Sequence, residues 1–211
     1  MTPVVLFCDN HLLAVDKPAM LVTQSTQGHT TSLEEWAKAW IKKKTHKPGA
    51  VFLHALHRLD REVRGIVLFA RTSKALSRLN EAMRKGEMHK TYQAIIEGTL
   101  SKDEGTLKHD LEHKEHRAVI GKSTDSKEAV LHFRVLKKRG DSTLIEIELE
   151  TGRYHQIRAQ FSAIGHPILG DKKYGSKEAF DQSGIALWHK KLVFPHPILK
   201  EPMEISSLHS L

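Results

Sequence analysis

A single cysteine, Cys8, stands among 211 residues. One thiol closes no internal disulfide, which excludes a disulfide-stapled secreted scaffold and agrees with a reducing compartment. Cys8 lies in an apolar run and reads as a small buried hydrophobe rather than a nucleophile. Long apolar stretches are missing too, since none approaches the roughly 18 residues that a membrane span requires. The opening Met-Thr-Pro-Val-Val-Leu-Phe-Cys-Asp lacks the basic region and apolar core of a secretion signal, so a cytoplasmic protein with no membrane partner is expected. Aromatic residues make up only 6% of the chain, too few to carpet a sheet with base-stacking rings. No repeat period appears.

Acidic residues are in deficit, 25 against 33 Lys and Arg, giving a net charge of +8. That imbalance favours a polyanionic partner, with nucleic acid the first candidate. The length suits a single domain over residues 1–211 with a sizeable core, and a monomer needing no obligate protein partner is the simplest expectation.

The chain is organised around residues 54–70, His-Ala-Leu-His-Arg-Leu-Asp-Arg-Glu-Val-Arg-Gly-Ile-Val-Leu-Phe-Ala. A lone acid, Asp60, sits among His57, Arg58, Arg61 and Arg64, directly before an apolar β-branched run that reads as a buried strand. Gly65 is read as the turn between the polar cluster and that strand.

Before this centre, residues 4–8 and 11–15 flank Asp9-Asn10 and predict a hairpin, ended by Pro18. Ser32-Leu-Glu-Glu35 is a capping box opening a helix whose Leu33, Trp36, Ala37 and Trp40 share one face, placing both tryptophans in the core. After the centre, Ser73 is the expected cap of a helix from Lys74 to about Lys85, stopped by Gly86, and Lys90–Gly98 reads as a strand. Residues 101–128 are polar and lysine-rich, and the four- and three-residue spacings of His109, His113 and His116 would gather them on one face if the segment were a helix. Without cysteine or fixed carboxylates beside them, these histidines are read as solvated, facing a polyanionic partner, or merely variable, rather than as a metal centre. Ser142–Glu150 alternates cleanly as a half-exposed strand. A turn at Thr151-Gly152 then leads into a helix ended by Gly165, which would bring Arg153, His155, Gln156 and Arg158 to one exposed helix start, where an anion is favoured.

Several of these stretches, in this order, resemble the RluA-type pseudouridine synthases: His57-Arg-Leu-Asp60, Lys90-Thr-Tyr-Gln-Ala94 to Gly98, Gly152-Arg-Tyr-His-Gln-Ile-Arg-Ala159, Gly165-His-Pro-Ile-Leu-Gly-Asp171 to Lys173-Tyr-Gly175, and Ile185-Ala-Leu-Trp188 onward. The opening Asn10 to Ala19 is similar to the family's first strand, with Asp16 in place of Asn, and Lys17 would hold either the cleft or an RNA phosphate, or be a solvated turn residue. Two departures stand out: Val63-Arg64 replaces the usual Thr-Ser, and Tyr154 replaces a Thr. The S4 RNA-binding domain common in the family would be absent.

The resemblance implies an α+β fold, with a mixed, largely antiparallel central sheet flanked by helices. It implies isomerisation of uridine to pseudouridine in ribosomal or transfer RNA, without metal, redox partner or other cofactor. Asp60 would be the catalytic nucleophile, Arg158 its basic partner and Tyr92 the active-site tyrosine. Arg58 would enter the space left by a flipped uridine, and Leu187 would wall the uracil pocket, with Arg64, Arg153 and His155 on the rim. A carboxylate attacking an anomeric carbon, or stabilising its developing charge, belongs to the chemistry of glycoside cleavage. The alternative is a non-catalytic RNA-binding domain on the same scaffold.

Overall fold

The computed structural model describes residues 2–25, 31–46, 48–180 and 183–208. They form an α+β protein with three α-helices and eleven strands among the described residues, gathered in two compact units: residues 1–89 with 189–211, and residues 90–188.

The first unit opens with the expected hairpin, β1 (Val4–Cys8) antiparallel to β2 (Leu12–Lys17). Asp9 makes the turn, its Oδ1 accepting the backbone N–H of His11 (2.8 Å) and Leu12 (2.6 Å), the role for which a short carboxylate suits a turn. β2 pairs antiparallel with β4 (Arg64–Ala70), β4 neighbours β10 (Leu187–Pro195), and β11 (Pro202–Ser206) extends β10. The short β3 (His54–Ala55) lies along the end of β4. Both β2 and β4 are buried at every residue, which is why they read as unbroken apolar runs. Leu12, Ala14, Ile66, Leu68, Leu192 and Phe194 pack in one core with Ala75, Leu79 and Ala82 of α2 (Ser73–Arg84).

Three local expectations change here. Thr72, not Ser73, caps α2, its hydroxyl accepting the Ala75 N–H. On α1 (Leu33–Thr45) Ser32 caps as expected, but the buried stripe is Leu33, Ala37 and Ile41. Trp36 and Trp40 are only half-buried on its flanks, and Lys44 Nζ lies 4.8 Å over the Trp40 ring. Gly65 sits within β4 rather than before it. With φ at +113°, any Cβ there would lie 2.3 Å from the His189 carbonyl oxygen, so the requirement is close backbone approach between strands.

In the second unit the strand order is β5 (His89–Glu97), β9 (Ser142–Leu149), β8 (Lys127–Arg139), β6 (Glu104–Lys114) and β7 (Arg117–Ile120), and these neighbours pair antiparallel. The polar segment, whose histidines would gather only on a helix, is a long hairpin: His109 and His113 lie on β6 and His116 in the turn after it. Strand β9 alternates as read, burying Thr143, Ile145 and Ile147. Helix α3 (Gln156–Ala163) is strapped down by its own amides. Gln156 Nε2 donates to the Val130 carbonyl (3.1 Å), and Gln160 Nε2 donates to those of Leu107 (3.1 Å) and Ala129 (3.0 Å).

Candidate active site

Asp60 stands in the loop from β3 to β4, in a backbone tied down on both sides of it. Before it, the Thr23 hydroxyl donates to the Leu59 carbonyl (2.9 Å) and accepts the Leu59 N–H (3.1 Å). After it, the Arg61 carbonyl accepts the Met20 N–H (2.6 Å) and the Lys17 Nζ (3.4 Å). The Asp60 carbonyl itself accepts the Val63 N–H (3.1 Å), closing a turn, while Leu59 and Val63 are buried. The half-buried Asp60 carboxylate thus rides on a loop whose flanks are fixed by hydrogen bonds and apolar anchors, the support a reacting group needs. Arg58, beside it, is exposed.

Lys17 has no exposed surface, so it is neither a solvated turn lysine nor a phosphate ligand. Its Nζ donates to the carbonyls of Pro18 (3.1 Å), Leu21 (2.7 Å) and Arg61, binding the loop after β2 to the loop that carries Asp60. Burial pushes the Lys17 ammonium down to about 7, against the opposing pull of Asp60 and Glu62. Arg64 is also buried, 3% exposed, and does not line a rim. Val63, the other half of the Val-Arg departure, is a core residue.

Asp16, which stands where the family usually has Asn, is buried and accepts the Ser207 hydroxyl (3.0 and 2.9 Å) and the Leu208 N–H (2.8 Å). Its carboxylate ties the end of β2 to the segment after β11.

In the second unit, Tyr92 on β5 and Leu187 at the start of β10 are buried, 7% and 3% exposed. The expected exposed cluster at the start of α3 is only partly exposed. Arg153 is exposed and His155 half-buried, whereas Gln156 and Arg158 are 3% exposed. The Gln156 side chain turns inward, its Oε1 accepting the Arg153 N–H (2.9 Å) and the Thr151 hydroxyl (2.9 Å).

Arg158 is aimed by a residue to which the sequence reading gave no role. Asp171, 1% exposed, accepts Arg158 Nε at 2.6 Å and Nη2 at 2.9 Å in a two-pronged fork. Arg158 Nη1 lies 3.3 Å from His155 Nε2, and its guanidinium stacks 5.1 Å over the Tyr174 ring. The Tyr174 oxygen accepts the Ala118 N–H (2.8 Å) and lies 2.9 Å from His155 Nδ1. Burial pushes the Tyr174 hydroxyl up to about 12, keeping it protonated at physiological pH. Asp171 and Tyr174 both fall in the Gly165–Gly175 block, and the signal available was that a buried arginine requires an acid beside it.

The histidines of the β6–β7 hairpin are dispersed: His109 Nδ1 meets Gln160 Nε2 at 3.1 Å, and His113 packs edge-on against Tyr154. Among the described residues no three His, Cys, Asp or Glu side chains are placed to hold a metal ion. No helix among the described residues is long and apolar enough to cross a membrane.

Residues 11–163 match the family model described as RNA pseudouridylate synthase. The chain is 33% identical over 201 residues to YlyB of Bacillus subtilis, an uncharacterised RNA pseudouridine synthase, covering 94% of this chain and 66% of that protein. It is 33% identical over 205 residues to the ribosomal large subunit pseudouridine synthase D of Nitrosomonas europaea, covering 91% and 58% respectively. The chain therefore spans two thirds or less of the length of these curated relatives. Its fold is that of the solved human RNA pseudouridylate synthase domain containing 4, with a TM-score of 0.79 at 21% identity over 96% of this chain and 87% of that one.

Proposed function

The chain belongs to the RNA pseudouridylate synthase family, as an RluA-type member, and on that premise we propose that it isomerises uridine to pseudouridine in RNA with Asp60 as nucleophile. The observation that carries this reading is the fixation of the Asp60 loop, held through Leu59 by Thr23 and through Arg61 by Met20 and the buried Lys17. A carboxylate serving only as a surface ion-pair partner needs no such fixation, since exposed pairs contribute little.

In the proposed reaction the N1–C1′ bond of the target uridine breaks while the Asp60 carboxylate takes up or stabilises the anomeric carbon. The uracil turns, C5 bonds to C1′ as the Asp60 carboxylate is released from it, and the C5 proton passes to solvent as N1 acquires one, so product and substrate have the same composition. Arg158, aimed by Asp171, serves as the basic partner of Asp60 in this reading. Tyr92 and Leu187 supply the buried walls around the base, while the exposed Arg58 fills the space that the base leaves. Arg153 and His155 contribute to substrate binding. Ribosomal or transfer RNA is the substrate class, bound by a cytoplasmic, monomeric protein working as one catalytic domain. A net charge of +8 supports a polyanionic substrate.

The test is tritium release from 5-tritiated uridine in bulk RNA lacking pseudouridine, in the presence of a chelator. Wild-type protein is expected to release tritium and folded Asp60→Ala to release none. Equal release from both would remove Asp60 from the chemistry. Tight RNA binding without release by either would favour the binding-only alternative.

A further inference from the structure

One aromatic side chain stands outside the core with unusual support. Tyr154 is 37% exposed, yet its ring lies flat on the His155 imidazole, with centroids 3.8 Å apart and planes inclined by 19°. The exposed His113 of β6 packs against it edge-on, at 4.5 Å and 71°, and the Tyr154 hydroxyl donates to the His116 carbonyl at 3.4 Å.

His155 is itself held from behind. Arg158 Nη1 lies 3.3 Å from its Nε2 and the Tyr174 oxygen 2.9 Å from its Nδ1, so both ring nitrogens are engaged. The imidazole under Tyr154 is thus held in place from behind by two buried residues. The His155 backbone adopts a left-handed φ of 49°, a conformation unfavourable for a non-glycine residue, and the surrounding bonds maintain it. Rotamer freedom is already spent in this stack before any ligand arrives, which favours binding on a flat aromatic surface.

The surroundings carry cations. Arg153, next to Tyr154 in the chain, and Arg117, next to His116, are both exposed, with Arg153 steadied by its Nε donating to the Glu128 carbonyl (2.8 Å) and the Arg117 guanidinium 5.4 Å over the Tyr174 ring. A supported aromatic with flanking arginines is the chemistry that takes a nucleobase by its π-face and its phosphates by charge. A threonine, which the resemblance gives as usual at this position, offers no such surface.

We propose that Tyr154, backed by His155, is a stacking platform for one unpaired base of the RNA, separate from the base undergoing reaction. The proposal rests on the RNA reading above and assigns this chain a contact that sets affinity for single-stranded segments.

The test uses the full chain and a fluorescein-labelled single-stranded oligouridylate, with binding followed by anisotropy at several salt concentrations. Tyr154→Ala is expected to bind about tenfold more weakly, within the range produced by losing one stacked base, while Tyr154→Phe binds within about twofold of wild type. The slope of log affinity against log salt is expected to stay unchanged in Tyr154→Ala, because no phosphate contact is removed, whereas Arg153→Ala lowers it by about one. Thermal unfolding of Tyr154→Ala and Tyr154→Thr checks the fold. Wild-type affinity in a folded Tyr154→Ala, or a loss that appears only as a changed salt slope, would overturn the platform and leave the RNA reading standing. Failure of wild-type protein to bind the RNA at low salt would overturn both.

Discussion

Replacing Asp171 with alanine removes both acceptors of the Arg158 fork while leaving the guanidinium where it is. The two side chains are 3% and 1% exposed, and the bonds between them are 2.6 and 2.9 Å long. Solvent therefore cannot replace the lost carboxylate without rearranging the packing around α3, most of which is buried. Removing one partner of a buried pair costs about 3–5 kcal/mol, because the remaining charge loses its bidentate acceptor in a site that water does not reach. For a chain of this length that corresponds to a fall in Tm of roughly 6–20 °C. Urea denaturation followed by circular dichroism gives the free energy, with an unchanged m-value showing that the denatured state is not responsible. Asp171→Asn keeps one acceptor but loses the charge, and is expected to fall between wild type and alanine. The pair Asp171→Leu with Arg158→Met is expected to recover much of the loss, since an apolar pair of similar volume leaves no buried charge. If Asp171→Ala costs less than about 1 kcal/mol, the argument that Asp171 neutralises and aims Arg158 is refuted.

Lys17 gives a pH signature. Burial brings its folded pKa to about 7, against the ordinary lysine value of 10.5, so between those limits the unfolded chain holds this proton more tightly. The contribution of Lys17 to stability therefore rises with pH from about 7 to about 10.5, by at most about 1.4 kcal/mol per pH unit, and is flat below. Lys17→Met is expected to lower that slope in urea titrations at successive pH values; identical slopes would contradict it. Gly65→Ala would place a methyl 2.3 Å from the His189 carbonyl oxygen at a φ of +113°, and a loss of at least about 3 kcal/mol or of soluble protein is expected. Thr72→Ala is expected to cost about 1 kcal/mol by loss of the cap to Ala75, and Ser73→Ala to be near neutral; the reverse order would reassign the start of α2.

Local periodicity and local chemistry made much of the fold legible in advance. The Asp9 turn, the Ser32 cap and the alternation of β9 each follow from residues within one element. What escaped was set by distant partners. The β6 hairpin is a lysine-rich polar stretch whose strand pairing with β8 lies some way along the chain, so the four- and three-residue histidine spacings left a helix open. Lys17 carries a charge that normally predicts exposure, and only the three carbonyls around its Nζ account for its burial. At the candidate site the acid, the arginines and the tyrosines were visible as residue types. Invisible were Thr23, which fixes Leu59, and Asp171, which fixes Arg158, because both act through contacts between residues well separated in sequence.

The central claim is that Asp60 carries an isomerisation of uridine within RNA. It is tested most directly by digesting a defined uridine-containing transcript after incubation with the protein and separating the nucleosides by chromatography. Wild-type protein is predicted to convert uridine to a nucleoside of identical mass and shifted retention, pseudouridine, whereas Asp60→Asn, matched to wild type in thermal stability and RNA affinity, yields none. Pseudouridine formed by Asp60→Asn at the wild-type rate would contradict the account.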